Sequence, residues 1–291
     1  MTPGLLEVQL ERVRLSALTW GPTDGPLAVL LHGFPDSAHT WRHLGPTLGR
    51  EGWRVVAPFT RGYAPSGVPA DGRSDVGALV DDAVALHTTL GGDCSAVLVG
   101  HDWGALTAHT LAAHGDSPFR RIVSMAVPPL TALPLRATLR HLPGQARRSW
   151  YVGFNQLPLL PERSLDRLVP RLWRDWSPGY DATEDVAHVL DSLPDPAHRR
   201  TAINYYRHLT RPIGVPRQYR RWQRAMTDSA RLPVLYLHGR DDGCMTHRFA
   251  EIARSRVPRD TEIRVVERAG HFLHLEQPAE VEKLVVDFLR R

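Results

Sequence analysis

Residues 95–114 read Ser95-Ala96-Val97-Leu98-Val99-Gly100-His101-Asp102-Trp103-Gly104-Ala105-Leu106-Thr107-Ala108-His109-Thr110-Leu111-Ala112-Ala113-His114. A short apolar, β-prone run leads into Gly-x-Asp-x-Gly, and an alanine-rich, helix-prone run leaves it. That order predicts a strand, a tight turn and a helix, the setting of a nucleophile elbow. The glycines follow from the turn: a Cβ two residues before or after its centre would collide with the chain. A serine at the centre would point to acyl transfer. The aspartate found there, Asp102, points to displacement at a saturated carbon through an ester between enzyme and substrate.

Working outward, short apolar runs alternate with amphipathic ones. Strands are expected over 6–10 and 13–18 as a hairpin-like start, then over 27–31, 53–57, 96–99, 121–126, 234–237 and 262–266. Helical periodicity covers 37–50, 76–90, 105–114, 246–256 and 278–290. Buried strands alternating with helices predict an α/β fold: a mostly parallel sheet of eight strands with helices on both faces. The alternation stops at Pro128-Pro129 and resumes near Pro233. Between them, residues 129–230 hold four of the eight tryptophans and show helical periodicity without a clear strand. The expected organisation is a core domain of residues 1–128 and 231–291, with 129–230 as a helical cap, or lid.

Bulk properties narrow the function classes. Among 291 residues, 42% are hydrophobic and 23% charged, which is ordinary for a soluble globular chain. No apolar run is long enough to span a bilayer. The N-terminus lacks a basic region followed by an apolar core, so no signal peptide is expected. Two cysteines, Cys94 and Cys244, suggest neither a disulfide framework nor a zinc site. These points predict a cytoplasmic protein without membrane attachment. The formal charge is +5, and 35 of the 36 basic residues are arginine. The expected lid carries 16 arginines against nine carboxylates. That excess reads as a solvated helical surface, or more sharply as a preference for anionic or electron-rich substrates. No basic stripe interleaved with aromatics indicates nucleic acid.

Three further loops are expected at the carboxyl ends of strands, where open α/β sheets place their sites. The first is His32-Gly33-Phe34-Pro35-Asp36-Ser37. Gly33 permits close approach and Pro35 stiffens the loop. The backbone N–H groups of Phe34 and Trp103 are candidates to hold the Asp102 carboxylate and, later, an oxyanion. Phe34, Pro35 and Trp103 are expected to line the substrate site. The second loop is His238-Gly239-Arg240-Asp241-Asp242-Gly243, where either aspartate could orient a histidine. The third is Gly270-His271-Phe272-Leu273-His274-Leu275-Glu276-Gln277-Pro278. His271 completes the chain order nucleophile, acid, histidine, and His274 reads as a packing or capping residue.

Taken together, HGFPDS, RGYAPSG, GHDWGA, HGRDDG and GHFLHLEQP closely resemble the α/β-hydrolase superfamily, from about residue 5 to the C-terminus. Within it the chain looks like the epoxide hydrolases with an aspartate nucleophile. The resemblance implies Asp242, with its Gly-x-x-Asp spacing, as the acid of the triad rather than Asp241. It also implies two lid tyrosines that protonate the epoxide oxygen. Ser149-Trp150-Tyr151-Val152-Gly153-Phe154-Asn155-Gln156-Leu157-Pro158 offers Tyr151, and Asn204-Tyr205-Tyr206-Arg207 offers Tyr206. An alkoxide leaving group is strongly basic and needs such an acid, and tyrosine stays protonated near neutrality. The haloalkane dehalogenases share GHDWG, but Phe34 stands where they commonly carry a halide-binding asparagine. Pro58-Phe59-Thr60-Arg61 departs from the acid-Leu-Arg segment usual in epoxide hydrolases.

The expected function is hydrolysis of a small-molecule epoxide to a vicinal diol, with water as the second substrate and without cofactor or metal. Asp102, Asp242, His271, Tyr151 and Tyr206 are the catalytic candidates. A haloalkane dehalogenase with the same nucleophile is the alternative, and a non-catalytic ligand-binding protein the remote one. Monomer and homodimer are both compatible with the sequence.

Overall fold

The computed structural model describes residues 1–291. Eight strands form one sheet: β1 (Gly4–Gln9), β2 (Arg14–Trp20), β3 (Leu27–Leu31), β4 (Arg54–Pro58), β5 (Val97–His101), β6 (Arg121–Met125), β7 (Val234–Gly239) and β8 (Thr261–Val266). Their order across the sheet is β1-β2-β4-β3-β5-β6-β7-β8. The pairs β1–β2 and β2–β4 are antiparallel, and every other neighbour is parallel. All residues of β3, β5 and β7 are buried. Apolar runs such as Leu27-Ala28-Val29-Leu30-Leu31 are therefore covered on both faces, as a parallel sheet requires.

The helices that follow the first strands are α1 (Leu44–Arg50), α2 (Val76–Thr89) and α3 (Trp103–Ala113). The helix expected over 37–50 is broken into a 3-10 turn, Ala38–Trp41, and α1. Pro46 is the reason: a proline fits only the first turn of a helix, where its missing N–H costs nothing, so α1 begins at Leu44. Similarly, α3 starts at Trp103 rather than 105, directly out of the elbow.

Between β6 and β7 the chain is helical: α4 (Leu135–Thr138), α5 (Leu142–Arg148), α6 (Trp150–Phe154), α7 (Leu160–Trp176), α8 (Thr183–Asp191), α9 (Pro196–Thr210) and α10 (Arg217–Arg224). Helix α9 has a clear start signal. Asp195 accepts from the N–H groups of Ala197 and His198, and Pro196 occupies the first turn. Helix α7 turns Leu165, Leu168, Val169, Leu172 and Trp176 inward, into the same apolar cluster as the sheet. The stretch expected as an insertion, 129–230, reaches back to the core at its end. Its last helix, α10, packs on α2 and α3 of the sheet's own covering layer. Trp222 Nε1 donates to Asp81 at 3.1 Å, and Gln223 Oε1 accepts from the Gly77 amide at 2.9 Å. Buried Trp222 and Tyr219 give α10 an apolar side that seats on that layer. The final helices are α11 (Arg248–Ala253), shorter than expected, α12 (Leu273–Glu276) and α13 (Pro278–Leu289). No helix is long and apolar enough to cross a membrane.

The elbow is packed against backbone. A Cβ on Gly104 would lie 2.0 Å from the Leu31 carbonyl oxygen, and one on Gly100 would lie 2.1 Å from that of Gly104. Neither neighbour is a flexible side chain, so Gly104→Ala must push β3 and α3 apart. We expect it to cost about 3 kcal/mol, read as a lowered Tm in thermal unfolding followed by circular dichroism. An unchanged Tm would mean that the elbow is looser than these distances imply.

Candidate active site

The sheet delivers four loops to one place. Asp102 sits between β5 and α3 at φ 53° and ψ −110°. This left-handed conformation is costly for a residue with a Cβ and marks a site where the surroundings enforce strain. Its carboxylate is buried. The Phe34 N–H donates to Asp102 Oδ1 at 2.8 Å. Gly33 makes that approach possible, since a Cβ there would fall 2.2 Å from Oδ1. Of the two amides expected on this carboxylate, only that of Phe34 reaches it. The Trp103 N–H makes no hydrogen bond to Asp102. It nonetheless faces the same gap, where a Gly33 Cβ would be 2.6 Å from Trp103 N. His32 steadies this loop: its Nδ1 lies 2.9 Å from the Gly33 carbonyl, and its Nε2 accepts from the Thr60 amide at 3.0 Å. The unusual segment 58–61 thus holds the Phe34 loop through Thr60. Pro35 is buried and its carbonyl accepts from Trp173 Nε1 of α7 at 2.8 Å, so it ties the loop to the helical segment.

His271 faces Asp102 from the loop after β8. Its Nε2 is 3.7 Å from Asp102 Oδ2, beyond hydrogen-bond range, and has no partner. Its Nδ1 is 3.0 Å from Asp242 Oδ2. Asp242 Oδ1 accepts from the amides of Cys244 and Met245 at 2.7 and 2.8 Å. Asp241 is exposed. Both groups of the pair are fully buried, and they stabilise each other's charge. Burial alone would drive the proton off His271, but the charge of Asp242, with a smaller contribution from Asp102, pushes its pKa up to about 10. Burial likewise opposes ionisation of Asp242, yet His271 holds it below the usual carboxylate range.

The two tyrosines singled out in the sequence meet across from Asp102. Their rings lie 5.4 Å apart, edge to face. Tyr206 packs edge-on to Phe34 and Trp103, at 5.1 and 5.2 Å. Its hydroxyl is buried and has no hydrogen-bond partner. The Tyr151 hydroxyl lies 3.4 Å from Cys244 Sγ. Burial raises both phenols well above the usual tyrosine range, and the Asp102 charge adds to it. The neighbouring Tyr205 points the other way, donating to the Arg61 carbonyl at 2.9 Å. Arg207 joins the two tyrosine-bearing segments. It bridges to Glu162 at 2.7 Å and donates to the carbonyls of Asn155 and Leu157 at 3.1 and 2.6 Å.

Two residues of the site carried no signal in the sequence. Trp176 ends α7, and its carbonyl accepts from the amides of both Gly243 and His271 at 3.0 Å. Its ring lies 4.8 Å from that of His271 and 4.9 Å from that of Tyr151. Cys244 is the other, and its position two residues past Asp242 was the one available hint. Two triplets bring ligand-type atoms within 4.8 Å of one another: Asp242, Cys244 and His271, and behind them Asp36, His101 and His274. The first has its carboxylate and imidazole engaged with each other. In the second, His101 Nε2 lies 3.0 Å from the His271 carbonyl and His274 Nε2 2.6 Å from Thr40 Oγ1. His274 also stacks on Trp41, in keeping with a packing role.

Comparison with known proteins adds to this geometry. The model of the alpha/beta hydrolase fold family matches residues 26–278. The chain is 29% identical to the AB hydrolase superfamily protein YfhM of Bacillus subtilis, over 97% of this chain and 96% of that protein. It is 30% identical to epoxide hydrolase A of Mycobacterium tuberculosis, again over 97% of this chain and 96% of the relative. Among solved structures, epoxide hydrolase A from Mycobacterium thermoresistibile superposes with a TM-score of 0.76 at 26% identity, covering 99% of this chain and 98% of that one.

Proposed function

The chain belongs to the alpha/beta hydrolase fold family, and we propose that within it the protein is an epoxide hydrolase that forms an ester on Asp102. The observation that carries this reading is the pair of buried phenols, Tyr206 and Tyr151, edge to face at 5.4 Å, with Tyr206 packed on Phe34 and Trp103, the residues on either side of the Asp102 carboxylate. Such a pair has a purpose where the leaving atom is an oxygen that must be protonated, and none where it is a halide. The full-length similarity to two proteins named as epoxide hydrolases supports it.

In the first half-reaction an Asp102 oxygen attacks one epoxide carbon from the side opposite the C–O bond, inverting that carbon. The bonding pair leaves on the oxygen, and Tyr206 and Tyr151 supply the proton. Both phenols hold their protons firmly, as acids for a much stronger base must at neutral pH. In the second half-reaction His271 takes a proton from water as that water adds to the ester carbonyl. The Phe34 and Trp103 amides receive the oxyanion; on collapse His271 passes its proton to the departing diol oxygen and takes up the proton of the new carboxyl group, which restores the Asp102 carboxylate. Ester formation itself prepares the base. While Asp102 is charged it helps to keep His271 protonated. Alkylation neutralises Asp102, and His271 then yields its proton to the phenolate left by ring opening, which restores the phenol and frees the base, with Asp242 still orienting the ring. The helices from α5 to α9 act as the lid that closes the site over the substrate.

A single turnover in H₂¹⁸O tests the scheme. Water attacks the ester, so label is expected in the Asp102 carboxylate and not in the first diol released. Label in that first diol would sink the covalent route. The tyrosines make a second test. Tyr206→Phe is expected to lower kcat by about 10–100-fold and Tyr151→Phe by less, since one acid remains in each variant. Halide release from a bromoalkane that is indifferent to both replacements would instead assign the protein to the dehalogenases.

A further inference from the structure

The two tyrosines are not equivalent, and the difference traces to Cys244. This residue is fixed at both ends of its backbone. Its amide donates to Asp242 Oδ1 at 2.7 Å, and its carbonyl accepts from Gln145 Nε2 of α5 at 2.8 Å. Its side chain is buried, so the sulfur has little freedom. Burial, then the charges of Asp242 and Asp102, push the thiol well above its usual range, so it stays neutral. A neutral thiol near two carboxylates is a poor nucleophile. Either atom of the 3.4 Å contact with Tyr151 can donate, and a neutral thiol can give its S–H to the phenol oxygen, leaving the phenol proton free. Tyr206 has no sulfur beside its hydroxyl; its side-chain neighbours there are Trp103 and Tyr151.

We propose that Cys244 is a positioning residue for the reaction: its sulfur holds the Tyr151 hydroxyl toward the epoxide oxygen without competing for it. This rests on the acid role of the tyrosines given above. A phenol without such a neighbour turns its O–H freely about the Cζ–O bond, whereas one held by a fixed sulfur is already aimed. With the S–H resting on the phenol oxygen, the phenol proton stays available to the developing alkoxide. Tyr206, which packs edge-on between Phe34 and Trp103, is aimed by ring contacts instead. Two acids placed by different means fix the oxygen from two directions, and with it the choice of which carbon faces Asp102.

A double-mutant cycle with styrene oxide as the probe tests this. Cys244→Ala and Cys244→Val, the latter filling the space without a polar atom, are each combined with Tyr151→Phe. Steady-state rates are measured, and the carbon attacked is read from ¹⁸O position in the diol. In the parent background either replacement is expected to lower kcat by about three- to tenfold, the size of one modest hydrogen bond. The ratio of the two attack sites should shift in the direction that Tyr151→Phe shifts it. In the Tyr151→Phe background the same replacements should change neither rate nor ratio by more than about twofold. An equal loss in both backgrounds would reduce Cys244 to packing and overturn the inference while leaving the tyrosine chemistry intact. A Tyr151→Phe protein as active as the parent would overturn both statements together.

Discussion

With Asp102 replaced by alanine, epoxide turnover is expected to fall by about 10⁴-fold or more, the loss typical when a covalent nucleophile is removed from an otherwise intact triad. The reason is geometric. No other ionised carboxylate lies where it could take over: Asp242 is committed to His271 on one oxygen and to two amides on the other. The substitution also relieves a left-handed backbone only in part, since alanine keeps the Cβ that makes φ 53° unfavourable. The protein should therefore remain folded, with a Tm near that of the parent, while diol formation vanishes from initial-rate measurements. Activity within tenfold of the parent would end the ester mechanism.

The second large effect separates the two half-reactions. His271→Gln keeps a hydrogen-bond donor near Asp242 but removes the base. The ester should still form, because attack by Asp102 does not use the imidazole as a base. Its hydrolysis should slow by about 10²–10⁴-fold. Mixing this variant with excess epoxide is expected to consume one equivalent rapidly and then stall. Intact-protein mass should rise by the mass of one substrate, with the increment on the peptide that contains Asp102. Slow turnover without that increment would mean that His271 acts before the ester exists, contrary to the order of steps proposed.

Much of this arrangement could be read along the chain, and the reasons are local. Buried parallel strands are uninterrupted apolar runs, so β3, β5 and β7 announce themselves. Elbow glycines are dictated by backbone contacts that no side chain can share. The residues alone left Asp241 and Asp242 open, and only the family resemblance pointed to Asp242, the one that meets His271 at 3.0 Å in the fold. The Asp241 amide donates to the Ala269 carbonyl at 2.8 Å, leaving its side chain in solvent while the next residue turns inward. What stayed illegible depends on contacts between distant segments. Nothing near Cys244 signals Tyr151, 93 residues away. Nothing in residues 217–224 distinguishes a helix seated on α2 from one lying with the rest of the insertion.

The parallel neighbours β6 and β7 have a wider consequence. Met125 pairs with Leu237 in adjacent strands, yet Tyr151 and Tyr206 lie in the helices threaded between them. Asp102, Asp242 and His271 all lie outside that excursion. On the proposed scheme the attacking carboxylate and the acids for the departing oxygen thus come from separate stretches of the chain. A recombination event that replaced the stretch between β6 and β7 would exchange the acids and keep the carboxylate, as long as the new insert again met the Gly243 and His271 amides and the Pro35 carbonyl, as Trp176 and Trp173 do. On such a chassis a new leaving group requires a new insert and no new nucleophile.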